Sequence, residues 1–277
     1  MKIYISTVCL AGATDQNSAL AIAKAWDLVP LELGNLPGDS LTPGKDVLLA
    51  NMAFLPRWPG RLNLGTSDEG LRKSSVKAVG EALARCADTG IPLYTVEAGW
   101  SLDTTIATTG NAAGTLVPRK QAIRQLLRSL DQLAAISQQH GIRLGISNMP
   151  HGHGGLLTAA TEMRQVIATI GAPHLGLSLD LDFLEQLALV AGFDPKEAAL
   201  AVRDLIFVLY AGRAIKPRSE GGSGPALVSA KYLPRDWQAS VASQLSPVPF
   251  VLNARSLLPE QLIEIRERWL ENCHATA

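Results

Sequence analysis

Short apolar runs alternate along the chain with longer stretches in which apolar residues return every third or fourth position. The short runs predict strands and the periodic stretches predict amphipathic helices. Strand-like runs fall at residues 2–6 (KIYIS), 28–33 (LVPLEL), 46–51 (DVLLAN), 92–97 (PLYTVE), 142–148 (IRLGISN), 175–180 (LGLSLD), 205–210 (LIFVLY) and 248–253 (VPFVLN). Helical spacing is predicted at 17–26, from 66 to a stop at Gly90, from 123 to a stop at Gly141, at 159–170, and in two pieces, 184–190 and 195–202, broken at Gly192. Two more helices are predicted at 233–244 and from Pro259 to about 272. A capping box is expected at the second helix, with the Thr66 hydroxyl taking the Glu69 amide and the Glu69 carboxylate reaching back. Asp182 is expected to cap the helix near Leu184. Gly-, Pro- and Thr-rich stretches at 52–64, 98–117 and 211–230 lack periodicity and predict loops.

Strands and helices alternate throughout, which predicts a parallel sheet, and eight such units predict closure into a (β/α)8 TIM barrel. The competing arrangement is an open doubly wound sheet. No linker or change of composition divides the chain, so residues 1–277 are expected to form one domain.

Composition narrows the function classes. Lys plus Arg and Asp plus Glu each total 25, so the chain has no net field with which to grip nucleic acid or an anionic membrane. Cys9, Cys86 and Cys273 are scattered and odd in number, which argues against a disulfide framework and fits a reducing compartment. The first residues are too short and polar for a signal peptide, and no apolar run approaches membrane-spanning length. A cytoplasmic protein is expected.

In a barrel the chemistry sits at the C-terminal strand ends. Those ends offer Glu32, Asn51, Glu97, Ser147 with Asn148, Asp180, Tyr210, and Asn253 with Arg255. Glu97 and Asp180 have the chemistry of general bases or metal ligands; each also fits a polar group bonded to a nearby helix start. His151 and His153, in PHGHGG, fit a proton shuttle, a metal site or an incidental polar loop. Arg213, Lys216 and Arg218 precede a glycine run that fits either a phosphate cradle or a solvated loop. Trp58 and Trp100 are placed to stack on a sugar face or simply to pack their loops. No G-x-S-x-G elbow is present, so Ser-His-Asp catalysis is not expected.

The chain resembles the xylose isomerase-like barrels, a superfamily of sugar isomerases and epimerases, dehydratases and endonuclease IV. Residues 61–100 resemble the family's segment in which a helix leads to a strand ending in His and a small-Gly pair. QHGIRLGISNMP resembles the strand ending Glu-Asn, LGLSLDLDF the strand ending Asp-x-x-His, and VPFVLNARS the last strand, which ends in Glu. The resemblance implies a divalent metal held by Glu, Asp, His and Glu. In this chain those positions carry Ser147, Asp180, Phe183 and Asn253, Glu97 stands where strand four of the family carries His, and Tyr210 stands where a His-rich tip is usual.

One carboxylate in that set is too few for Mg²⁺ or Mn²⁺. Three readings therefore stand. The first is a metal-independent sugar or polyol isomerase, epimerase or related lyase, with Glu97 or Asp180 as base and His151, His153 or Tyr210 as acid. Glu32, Asn51, Trp58, Trp100, Asn148, Asn253, Arg255 and Arg213 would bind its substrate. The second is a relocated divalent metal at Glu97, Asp180 and His151 or His153. The third is a non-catalytic relative that binds a sugar-like ligand or a protein partner. The endonuclease branch is not expected, because it needs a full metal cluster and a basic face.

Overall fold

The apolar runs become strands whose two faces are both buried. In a computed structural model, residues 1–37, 46–55, 62–105, 113–150, 154–212, 232–254 and 257–276 are described. In chain order the elements are β1 (Ile3–Ser6), α1 (Gln16–Ala25), β2 (Leu31–Leu33), β3 (Val47–Asn51), α2 (Glu69–Thr89), β4 (Leu93–Glu97), β5 (Leu102–Thr105), β6 (Ala113–Leu116), α3 (Arg119–His140), β7 (Arg143–Ser147), α4 (Ala160–Ile170), β8 (Leu175–Asp180), α5 (Leu181–Ala191), α6 (Pro195–Ala201), β9 (Ile206–Ala211), α7 (Asp236–Gln244), β10 (Phe250–Leu252) and α8 (Pro259–Ala275).

Eight strands close a parallel barrel in the order β1-β10-β9-β8-β7-β4-β3-β2. The seam is made by β1 against β10, with Ile3 opposite Phe250 and Ile5 opposite Leu252. This is the (β/α)8 TIM barrel that the alternation predicts. Period-two alternation sends one set of strand residues outward and the other inward. The outward set, including Ile5, Tyr94, Val96, Ile146, Leu177 and Leu209, packs under the helices in one large core. The inward set includes Tyr4, Leu49, Leu93, Val208, Tyr210 and Val251, a small cluster that plugs the barrel interior. Among the described residues no helix is long and apolar enough to cross a membrane.

Four local expectations are corrected. The stretch 98–117 holds an antiparallel hairpin, β5 with β6, in which Leu102 pairs with Leu116. Strand two starts at Leu31 rather than residue 28, because Pro30 has no N–H for the ladder and contributes only its carbonyl, which accepts from the Ile5 amide at 3.1 Å. At α2 the N-cap is Asp68, which takes the Leu71 amide at 3.0 Å. The Thr66 hydroxyl instead takes the Asp68 amide, and the Glu69 carboxylate is drawn to Arg72 and Arg128. At α5 the N-cap is Asp180, not Asp182; the helix starts directly at the strand end, so Asp182 falls inside its first turn and accepts from Gln238 Nε2 at 2.9 Å.

Candidate active site

The inward residues at the C-terminal strand ends are polar, and they surround a cavity of about 430 Å³ above the apolar plug. Seven strands contribute: Glu32 from the end region of β2, Asn51 from β3, Glu97 from β4, Ser147 from β7, Asp180 from β8, Tyr210 from β9, and Asn253 just past β10. Parallel pairing levels several of them, with Glu97 beside Ser147 and Asp180 beside Tyr210. Of the sequence candidates, Glu32, Asn51, Glu97, Asn148, Asp180, Tyr210 and Asn253 line this one cavity. Trp100 does not. Its amide donates to Asn63 Oδ1 at 3.0 Å and its carbonyl accepts from Asn63 Nδ2 at 3.1 Å, which ties it to the loop before α2. Gly99 makes that approach possible: it has φ +98°, and a Cβ there would lie 2.3 Å from Asn63 Oδ1. Trp58, His151, His153, Arg213 and Arg255 lie outside the described residues, as does the basic glycine-rich stretch.

The three carboxylates are held differently. Glu32 is fully buried and accepts from the Ser6 hydroxyl at 2.5 Å. Asp180 is 3% exposed, and its Oδ1 accepts from the amides of Asp182 and Phe183 at 3.0 and 3.1 Å. Asn148 clamps the same residue from the neighbouring strand. The Asp180 amide donates to Asn148 Oδ1 at 2.7 Å, and Asn148 Nδ2 donates to the Asp180 carbonyl at 3.1 Å. Glu97 is half-buried and ends β4 without starting a helix; the chain continues into the β5–β6 hairpin.

Beneath Glu97 lies a residue that the sequence reading passed over. Thr95 is buried, shares the inward face of β4 with Glu97, and sits 3.0 Å from the Tyr210 hydroxyl through Oγ1. Tyr210 starts from β9, so its ring crosses the barrel interior and its hydroxyl arrives one inward step below Glu97. Two residues along a strand span about 6–7 Å. The alternation Leu93, Thr95, Glu97 carried this signal in the sequence. On the outward face of β4, Tyr94 donates to the Ala53 carbonyl at 2.9 Å, and burial pushes its phenol well above the usual range.

The positions that the resemblance gives to a divalent metal offer few metal-binding groups. Phe183 has no donor atom. The Ser147 hydroxyl lies 3.2 Å from Ser178 Oγ, Asn253 offers a neutral amide, and Asp180 Oδ1 is engaged by the helix start. Among the described residues no three His, Cys, Asp or Glu side chains are placed to hold a metal ion. The relocated site expected at Glu97, Asp180 and a loop histidine needs His151 or His153, which are not described.

The xylose isomerase-like TIM barrel family model matches residues 43–203, more than half of the chain. The chain belongs to that family. No curated protein matches it significantly in sequence. Among solved structures it is similar to a D-tagatose 3-epimerase-like protein, with 13% identity, 100% of this chain and 98% of that chain covered, and a TM-score of 0.70. It is similar to an L-ribulose 3-epimerase, with 16% identity, 96% and 86% coverage and a TM-score of 0.64. It is also similar to a 3-keto-D-glucoside 4-epimerase from E. coli, with 15% identity, 96% and 99% coverage and a TM-score of 0.64. At these identities the likeness establishes the shared fold.

Proposed function

We propose that this xylose isomerase-like barrel is a sugar or polyol isomerase or epimerase that moves a proton beside a carbonyl without a metal. Glu97 acts as the base and Tyr210 as the hydrogen-bonding acid. The observation that carries this reading is the contact between Thr95 Oγ1 and the Tyr210 hydroxyl, which brings a phenol from β9 under the Glu97 carboxylate of β4. Abstraction of a proton next to a carbonyl needs a carboxylate on the carbon and a donor on the developing enolate oxygen. Glu97 of β4 and Tyr210 of β9 both line the cavity and supply that pair.

Asn51 and Asn253 line the same cavity and bind substrate hydroxyls, as a polyol requires from a site with several fixed polar groups. Glu32, held by Ser6, is a further acceptor for a substrate hydroxyl. Asp180 serves mainly to hold the start of α5 in place, so the base role goes to Glu97. The structural neighbours whose names describe sugar epimerases support the substrate class.

The test is proton exchange into a panel of ketopentoses and ketohexoses in D2O, followed by NMR. Deuterium entering the carbon beside the carbonyl, and lost in Glu97→Gln and Tyr210→Phe, supports the reading. Sugar binding with no exchange in the wild type overturns it and leaves a ligand-binding barrel.

A further inference from the structure

The cavity changes character with depth. At the strand ends it is polar. Beyond them the described lining holds four apolar side chains, Val8, Leu36, Met52 and Phe183, beside Asn35 and Asn148, all past the last residue of their strands. The four apolar residues are half-buried. Val8 and Leu36 follow β1 and β2, Met52 follows β3, and Phe183 rises from the first turn of α5 across the barrel from β2. The packing around Val8 is tight: a Cβ on Gly34, which also lines the cavity, would lie 2.4 Å from Val8 Cγ1. A collar that is largely apolar among the described residues, above a polar floor, suits a ligand that is polar at one end only.

We propose that the site takes a sugar-like molecule with an apolar substituent at the end away from the reacting carbon, and that Phe183 is the specificity-determining residue. The polyol end lies on Asn51, Glu97, Tyr210 and Asn253. The apolar end lies against Phe183, Met52, Leu36 and Val8, where it leaves water. A plain hexose would leave this collar facing its hydrophilic far end, and burial of an alkyl or aryl group there adds binding that a hydroxymethyl group does not. This inference rests on the sugar reading given above.

The experiment is calorimetric titration of the full chain with the D-ketohexoses, their 6-deoxy forms and their 6-O-benzyl ethers, with benzyl alcohol as the apolar group alone. The benzyl ether is expected to bind about tenfold or more tightly than its parent sugar. Phe183→Ser should shrink that difference to about threefold or less, and Phe183→Leu should retain most of it. Both variants keep the backbone amide that Asp180 accepts, and a thermal melt checks that each is folded. Equal affinity for parent and ether, or a difference untouched by Phe183→Ser, overturns the collar assignment while the sugar reading stands. Benzyl alcohol binding as tightly as the ether overturns the sugar reading, and the proposal with it.

Discussion

The ends of β4 and β8 both present a carboxylate to the same cavity, yet the chain uses them differently. After β8 the helix α5 begins at once, and its exposed amides take Asp180 as their cap. Asn148 then fixes the Asp180 backbone from the next strand. After β4 no helix begins; the chain turns through Gly99 and Trp100 into a hairpin, and Glu97 is not needed to end anything. A strand-end acid followed directly by a helix becomes part of the scaffold. One followed by a loop has no helix start to cap. The element that follows the strand separates the two cases, and the residue type agrees with it, since Asp is a good N-cap and Glu is not.

The contrast is sharpest in activity. Glu97→Gln should lower exchange or turnover by about 10²–10⁴-fold with the melting temperature unchanged, measured by NMR exchange and a thermal scan. An unchanged rate would move the base elsewhere. The β8 side should respond in stability instead. Asn148→Ala leaves the amide and carbonyl of Asp180 buried without their clamp and should cost about 2–3 kcal/mol in chemical denaturation. Asp180→Ala removes the cap and should cost about 1–2 kcal/mol, while Asp180→Asn, also a good cap, should cost little. If Asp180→Asn lost activity as completely as Glu97→Gln, the two strand ends would not be different in kind. Thr95→Val removes one partner of the Tyr210 hydroxyl, and the rate should fall about tenfold, with a changed pH profile and little change in KM.

How much of this was legible in the sequence follows from the range of each interaction. The barrel was legible because each strand and helix carries its own period, and Gly90, Gly141 and Gly192 mark helix ends that the structure keeps. The cavity-lining residues were largely legible for the same reason: an apolar run ending in a polar residue marks the open end of a strand. The cap at Asp180 was misplaced by two residues because nothing local says whether a helix starts at the strand end or after a loop. The hairpin within 98–117 was missed because its strands are rich in Thr and Gly and lack alternation. The Thr95–Tyr210 contact joins residues 115 apart in sequence, and neither strand alone reveals it. Phe183 is marked in the sequence by the resemblance alone, at a position where the family carries His; its place on the cavity wall is a matter of the fold.

A smaller effect separates the acid response of the fold from that of the site. The Arg72 guanidinium bonded to Glu69 holds that carboxyl down at about 2, from an ordinary 4.5. Because the folded value is depressed, this contribution is complete above about 4.5 and is lost as pH falls toward about 2. Glu69→Gln should flatten that part of the acid unfolding curve and leave the activity profile above it unchanged. A shift of the activity profile would tie Glu69, which starts α2 and does not line the cavity, to the site.

The account rests most on Glu97 moving a proton with no metal to polarise the carbonyl. The direct measurement is deuterium exchange into a turned-over keto-sugar by protein stripped with a chelator, compared with the same protein given Mg²⁺ or Mn²⁺, each alongside Glu97→Gln. The account predicts exchange of equal rate with and without added metal, abolished in both cases by Glu97→Gln. Exchange that vanishes on stripping and returns with the ion, or that survives Glu97→Gln, would contradict it.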